Sequence, residues 1–180
     1  MREPALSYGD AEHSQRTRKN IFVKVSGDEF LNPRFQKWIK RLRKEAWVVI
    51  CIGGGTQINE ELQKQGYELT QHGPLGRETK TFEERQIARD VLERNQAELE
   101  DCLAKIGIHV TVAIPVLTIG NVLCHVNGDQ MIRAAYLGFD QLYVVTAPDR
   151  VEAKQKEFGS LPKVEVLAFP EPRVPFLAAR

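Results

Sequence analysis

Lys24 stands inside the apolar run "IFVKVS", where an ammonium group costs free energy unless it meets an anion or reaches solvent. Ser26 and Gly27 follow directly. A second run, "VVICI", ends in Gly53, Gly54 and Gly55, and a third, "VLCHV", leads into "NGDQMIRAA", with Asn127 and Asp129 at a helix start. Glycines ahead of a helix leave backbone N–H groups and the positive end of the helix dipole open to a phosphate or carboxylate. A lysine beside a phosphoryl group, amides around its oxygens and a carboxylate to orient the lysine make a phosphoryl-transfer site that works by electrostatics. Each feature also has a purely structural explanation: an edge or snorkelling lysine, a tight strand-to-helix turn, and Asn or Asp as helix caps. The triple glycine is neither a Walker loop, since no Gly-Lys-Ser/Thr follows, nor a dinucleotide GxGxxG. What favours a site is coincidence, because all three groups fall at strand-to-helix junctions, which parallel strands gather at one edge.

Positioning these groups requires alternating strands and helices. Strands are predicted at "IFVKVS", "WVVICI", "HVTVAIPVL", "VLCHV", "QLYVVT" and "KVEVLAF". Helices are predicted over Pro33 to Glu45, over Thr56 to Gly66 with Thr56 as N-cap, over Thr81 to Ile106 with a Thr81/Glu84 capping box, and over Asn127 to Leu137. Another helix fits between the last two strands. The order β-α-β-α-α-β-β-α-β-(α)-β predicts an α/β fold with a mainly parallel sheet covered by helices on both faces, interrupted by a hairpin at "LTIGNVL".

The 180-residue chain is 42% hydrophobic, enough for one substantial core. We expect a single domain over residues 21–170, between a loose N-terminal arm (1–20) and an extended, proline-spaced tail (171–180). The 25 basic and 24 acidic residues leave a formal net charge of +1, so there is no global pull toward nucleic acid or an anionic membrane. The basic segment Arg34, Lys37, Lys40, Arg41, Arg43 and Lys44 reads as a solvated helix face. Cys51, Cys102 and Cys124, odd in number and widely spaced, fit reduced core residues of a cytoplasmic protein rather than disulfides or a zinc site. Residues 1–20 hold no secretory apolar stretch, and no later run is long enough to span a bilayer. His13, His72, His109 and His125 lack metal-ligand spacing.

The blocks "VKVSGDEF", "VVICIGGGTQINEEL", "GRETKTFEE", "AKIGI" and "HVNGDQMIRAAYLGFDQLYVVTAPDRV" occur in an order and spacing that resemble the amino acid kinase family. That family includes acetylglutamate, uridylate and fosfomycin kinases, and the likeness covers residues 21–151. The resemblance implies a three-layer α/β/α sandwich, a kinase activity using ATP and Mg2+, and a small-molecule carboxylate or phosphate acceptor. It implies Lys24 at the transferred phosphoryl group with Asp129 orienting it, and Ser26, Gly27, Gly53, Gly54 and Gly55 around the phosphate and acceptor. Arg77 and Asn127 would grip the acceptor, Thr146 and Asp149 would lie on the nucleotide side, and no protein residue would ligate a metal. It also implies a homodimer through the long helix.

The chain departs from the family pattern at His125, which replaces an asparagine, at Gly128, which replaces an alanine, and at Ala147 and Arg150 in "VTAPDRV". About 30 residues follow Val151, without the glycine-pair motif that carries the family's second phosphate-binding lysine. Lys154, Lys156 and Lys163 lack that motif context and receive no role from it. Two expectations follow: an ATP-dependent kinase of a small acceptor, or a shortened, non-catalytic member that binds a small anion or metabolite as a regulatory module. A third is a stretch of a longer kinase.

Overall fold

A computed structural model describes residues 18–69 and 73–170. The 1–20 arm falls largely outside the described residues, as do the 171–180 tail, His13 and His72. Lys19 and Asn20, assigned to the arm from sequence, instead begin the first strand.

Five strands form a parallel sheet. β1 (Lys19–Val25) lies at its centre, paired on one side with β2 (Ala46–Ile52) and on the other with β6 (Gln141–Val145). β3 (Thr111–Ala113) flanks β2, and β7 (Val164–Leu167) flanks β6, giving the order β3-β2-β1-β6-β7. The middle of β1 is buried on both faces, as the apolar run requires of a central parallel strand.

Side chains alternate between two cores. Ile21, Val23 and Val25 join Val48, Ile50 and Ile52 against α1 (Pro33–Glu45) and α3 (Phe82–Lys105), which contribute Phe35, Ile39, Leu99 and Leu103. Phe22, Cys51, Leu142 and Val144 face the other way, against Ile132 of α4 (Gly128–Ala135) and Phe158 of α5 (Val151–Phe158). Period-two alternation thus builds an α/β fold with helices on both faces of the sheet. A third cluster fastens α2 (Gly55–Lys64) to α3 through Ile58, Leu62, Val91 and Leu92.

Local chemistry explains the helix ends. Asn32 Oδ1 accepts from the Arg34 amide at 3.0 Å, and Pro33 occupies the first turn of α1. At α3 the predicted capping box forms: the Glu84 amide donates to Thr81 Oγ1 at 3.1 Å, and the Thr81 amide donates to Glu84 Oε2 at 2.9 Å. α2 corrects the expectation for its start, since it begins at Gly55 with Gly54 as N-cap and no side-chain cap. Thr56 therefore lies inside the first turn.

The segment "HVTVAIPVL" also differs from the single strand predicted. It divides into β3 and β4 (Val116–Ile119) around Pro115, which has no N–H for a ladder. β4 pairs antiparallel with β5 (Val122–His125) as the expected hairpin around Gly120 and Asn121. β5 therefore lies outside the parallel sheet. Of the cysteines, Cys51 alone is in the core, while Cys102 and Cys124 are half-buried. Among the described residues, no helix is long and apolar enough to cross a membrane.

Candidate functional site: a cation-lined cavity

Two sheet strands end side by side and lock their following loops together. The Gly53 amide donates to the Val25 carbonyl at 2.8 Å, and the Ser26 amide donates to the Val145 carbonyl at 3.0 Å. Gln57 Nε2, from the first turn of α2, donates to the Gly27 carbonyl at 2.8 Å. The packing is close enough that a Cβ on Gly27 would lie 2.4 Å from Gln57 Oε1 and 2.9 Å from the Gly53 carbonyl oxygen. Gly27 is thus a fitting residue that lets the β1 and β2 loops meet.

The three glycines after β2 do different things. The Gly53 amide is consumed in extending the β1–β2 pairing, so it is not a free anion donor. Gly54 lies under α3, where a Cβ would come 2.9 Å from Leu92 Cδ2 and 3.0 Å from Asn95 Nδ2. Gly55 has nothing within 4 Å of its Cβ position and borders the cavity. Close packing therefore accounts for Gly54, and no protein neighbour accounts for Gly55. The first-turn amides of α2 have no intrahelical acceptor, which leaves the positive end of that helix facing the same space.

Lys24 points from β1 to the face covered by α4 and α5, and its side chain is only 12% exposed. Its Nζ lies 3.5 Å from Asp129 Oδ1. Asn127 caps α4 by accepting from the Asp129 amide at 3.0 Å, which sets Asp129 in the first turn. The other carboxylate oxygen, Oδ2, accepts from Lys154 Nζ at 2.5 Å, and Lys154 also donates to Glu157 Oε2 at 2.7 Å. Burial pushes the Asp129 carboxyl up, but the nearby Lys24 charge and the Lys154 hydrogen bond outweigh it and hold the group below its ordinary value. Burial likewise opposes the charge on Lys154, yet its bonds to Asp129 and Glu157 prevail and raise its pKa. Lys154 is thereby kept protonated beside the carboxylate that Lys24 also faces. Cys51, level with Lys24 on the adjacent strand, is pushed up to about 12 by burial and stays a thiol.

Arg77 is 6% exposed. Its Nη2 donates to Asn59 Oδ1 at 2.7 Å and to the Gly55 carbonyl at 3.4 Å, while Nε and Nη1 have no hydrogen-bond partner among the described residues. Burial lowers its pKa. Its backbone N–H donates to the His125 carbonyl at 2.9 Å.

These groups border one cavity of about 400 Å3. Every candidate named from the sequence lines it except Asp149, which is exposed on the short 3-10 turn Pro148–Arg150. Thr146 is buried at its wall. The route by which Asn127 and Asp129 arrive differs from the expected one, because β5 is not a parallel strand and the hairpin, rather than the sheet, delivers them. Sequence reasoning missed Lys154 and Arg150, both in the cavity lining. Arg150 Nη2 also pairs with Asp28 Oδ2 at 2.7 Å, tying the 3-10 turn to the β1 loop. The i,i+3 pairing of Lys154 with Glu157 was the only local signal for Lys154, and it names no site.

Fold and cavity define an α/β protein with a pocket bordered by the cationic side chains Lys24, Arg77, Arg150 and Lys154. No protein-family model matches the chain, and no curated protein matches it significantly.

Proposed function

We propose that this chain is an amino acid kinase-like domain that transfers a phosphoryl group from ATP to a small carboxylate or phosphate acceptor. The observation that carries the reading is the pairing of Lys24 and Lys154 with Asp129 in the cavity that also holds Arg77 and the N-terminal turn of α2. Lys24 and Lys154 would neutralise oxygens of the transferred group, and the α2 amides would hold the phosphate between them. Asp129 positions both ammonium groups, and its hydrogen bond favours the charged form of Lys154 before the anion enters. Arg77 would hold the anionic end of the acceptor through Nε and Nη1, which have no hydrogen-bond partner among the described residues. The acceptor oxygen then bonds to the γ-phosphorus as the bond to the β,γ-bridging oxygen breaks, and ADP leaves. Mg2+ would arrive on the nucleotide phosphates and shield their charge, for Asp129 is already committed to two cations. The homodimer suggested by the resemblance would use the outer face of α3.

One observation favours the second reading, a non-catalytic module for a small anion or metabolite. Asp149, expected on the nucleotide side, does not line the cavity. Calorimetric titration with Mg-ATP, ADP and inorganic phosphate, repeated on Lys24→Ala, separates the two. The kinase reading expects nucleotide binding that the substitution abolishes. Phosphate binding without any nucleotide binding at millimolar concentration overturns the kinase and leaves the module.

A further inference from the structure

The cavity wall is built mainly of donors: two ammonium groups, a guanidinium and the helix amides. His125, like the Asp129 carboxylate, offers an acceptor instead. Its residue is 8% exposed, and its Nε2 lies 2.9 Å from the Arg85 carbonyl, which can only accept. Nε2 therefore carries the proton, and in the neutral ring Nδ1 presents a lone pair. That atom is buried and has no hydrogen-bond partner among the described residues; the same holds for Nε and Nη1 of Arg77, whose backbone N–H donates to the His125 carbonyl and whose charge acts on the ring. Leaving both unpaired is costly, so a ligand that satisfies both gains what each lacks.

Resting on the acceptor role of Arg77 proposed above, we infer that His125 Nδ1 selects the acceptor: a small anion that carries an O–H or N–H donor beside its anionic group. Arg77 takes the anion and His125 accepts the hydrogen bond. A molecule without that donor leaves the His125 lone pair buried and unpaired, the arrangement by which polar pockets reject an analogue lacking one donor. The neutral ring is maintained because burial disfavours the imidazolium, which the charges of Arg77, Arg85 and Arg89 oppose as well, against the opposing pull of the Arg85 carbonyl.

The test uses the intact protein and three small carboxylates: lactate, N-acetylglycine and propionate, which place a hydroxyl, an amide N–H or no donor beside the carboxylate. Binding is followed by nitrogen NMR of the His125 ring and the Arg77 Nε–H. We expect all three to shift Arg77, lactate or N-acetylglycine to shift Nδ1 while the ring stays neutral, and the favoured one to bind about tenfold tighter than propionate. Which of the two is favoured tells whether the donor is a hydroxyl or an amide. His125→Phe should bind all three alike, and if that variant does not fold, the wild-type shifts still decide. Equal binding of the three with Nδ1 unmoved, or a ring that becomes doubly protonated on binding, overturns the role of His125 while leaving Arg77 as the anion site. No response at Arg77 from any of them overturns the acceptor reading itself.

Discussion

Lys154 reaches from α5 to donate a hydrogen bond to Asp129 at the start of α4, on the carboxylate whose other oxygen faces Lys24. A helix that follows the last central strand thus supplies a second cation to a site begun by the first. This contact explains how two lysines can sit together in one cavity, and it makes Asp129 the residue whose loss is felt most widely.

Asp129→Asn removes the charge that both lysines share. Their side chains are 12% and 20% exposed, so the leftover repulsion is only partly screened. The expected loss is about 2–4 kcal/mol of stability in urea unfolding. Lys24→Met in the same background should recover part of it, because one uncompensated cation is then gone.

Lys154→Met should weaken binding of inorganic phosphate about tenfold, the scale of one charge-assisted hydrogen bond. Lys156, exposed on the same helix, serves as the control. Lys156→Met should leave the calorimetric affinity unchanged.

Gly54→Ala and Gly55→Ala separate packing from ligand approach. The first places a Cβ 2.9 Å from Leu92 Cδ2 and should cost about 1–3 kcal/mol through overpacking. The second meets no protein atom within 4 Å and should melt at the wild-type temperature. Its Cβ would nevertheless stand at the mouth of the α2 amides, so phosphate affinity should fall. A Gly55→Ala variant that binds phosphate as well as wild type would show that this glycine serves no anion.

Acid should destabilise the protein in two stages. His125 and Asp129 both have folded pKa values below their ordinary ones of 6.5 and 3.8, so the unfolded chain takes up protons first. Each contribution is fully present above the ordinary value and is lost as pH falls through the lower folded one. Unfolding midpoints should therefore decline below pH 6.5 and again below pH 3.8, with His125→Gln flattening the first step and Asp129→Asn the second.

Thr81→Ala breaks the capping box of α3 and should cost about 1 kcal/mol. Thermal melting should register that loss with phosphate affinity unchanged, because Thr81 itself does not line the cavity.

Much of this was legible before any coordinates. Period-two runs marked the strands, Pro33 and the Thr81 capping box marked the starts of α1 and α3, and Lys24, the glycines, Asn127 and Asp129, named from their junctions, border one cavity with Arg77, named from the family resemblance. Strand-to-helix junctions are local features, and local sequence encodes them. Less legible were the division of "HVTVAIPVL" at Pro115 and the start of α2, where Gly54 displaced the expected Thr56 cap.

The sequence by itself determined the alternation of strands and helices and the chemistry standing at their junctions, because hydrophobic period, caps and turn residues act over a few neighbours. Only the tertiary structure decided which junctions meet. It removed β5 from the parallel sheet yet still brought Asp129 to Lys24, and it gave Lys154 a carboxylate 25 residues away in sequence. It also left His125 Nδ1 buried without a hydrogen-bond partner among the described residues. Such pairings depend on how whole elements pack, and no local pattern around Lys154 or His125 specifies the neighbour that packing supplies.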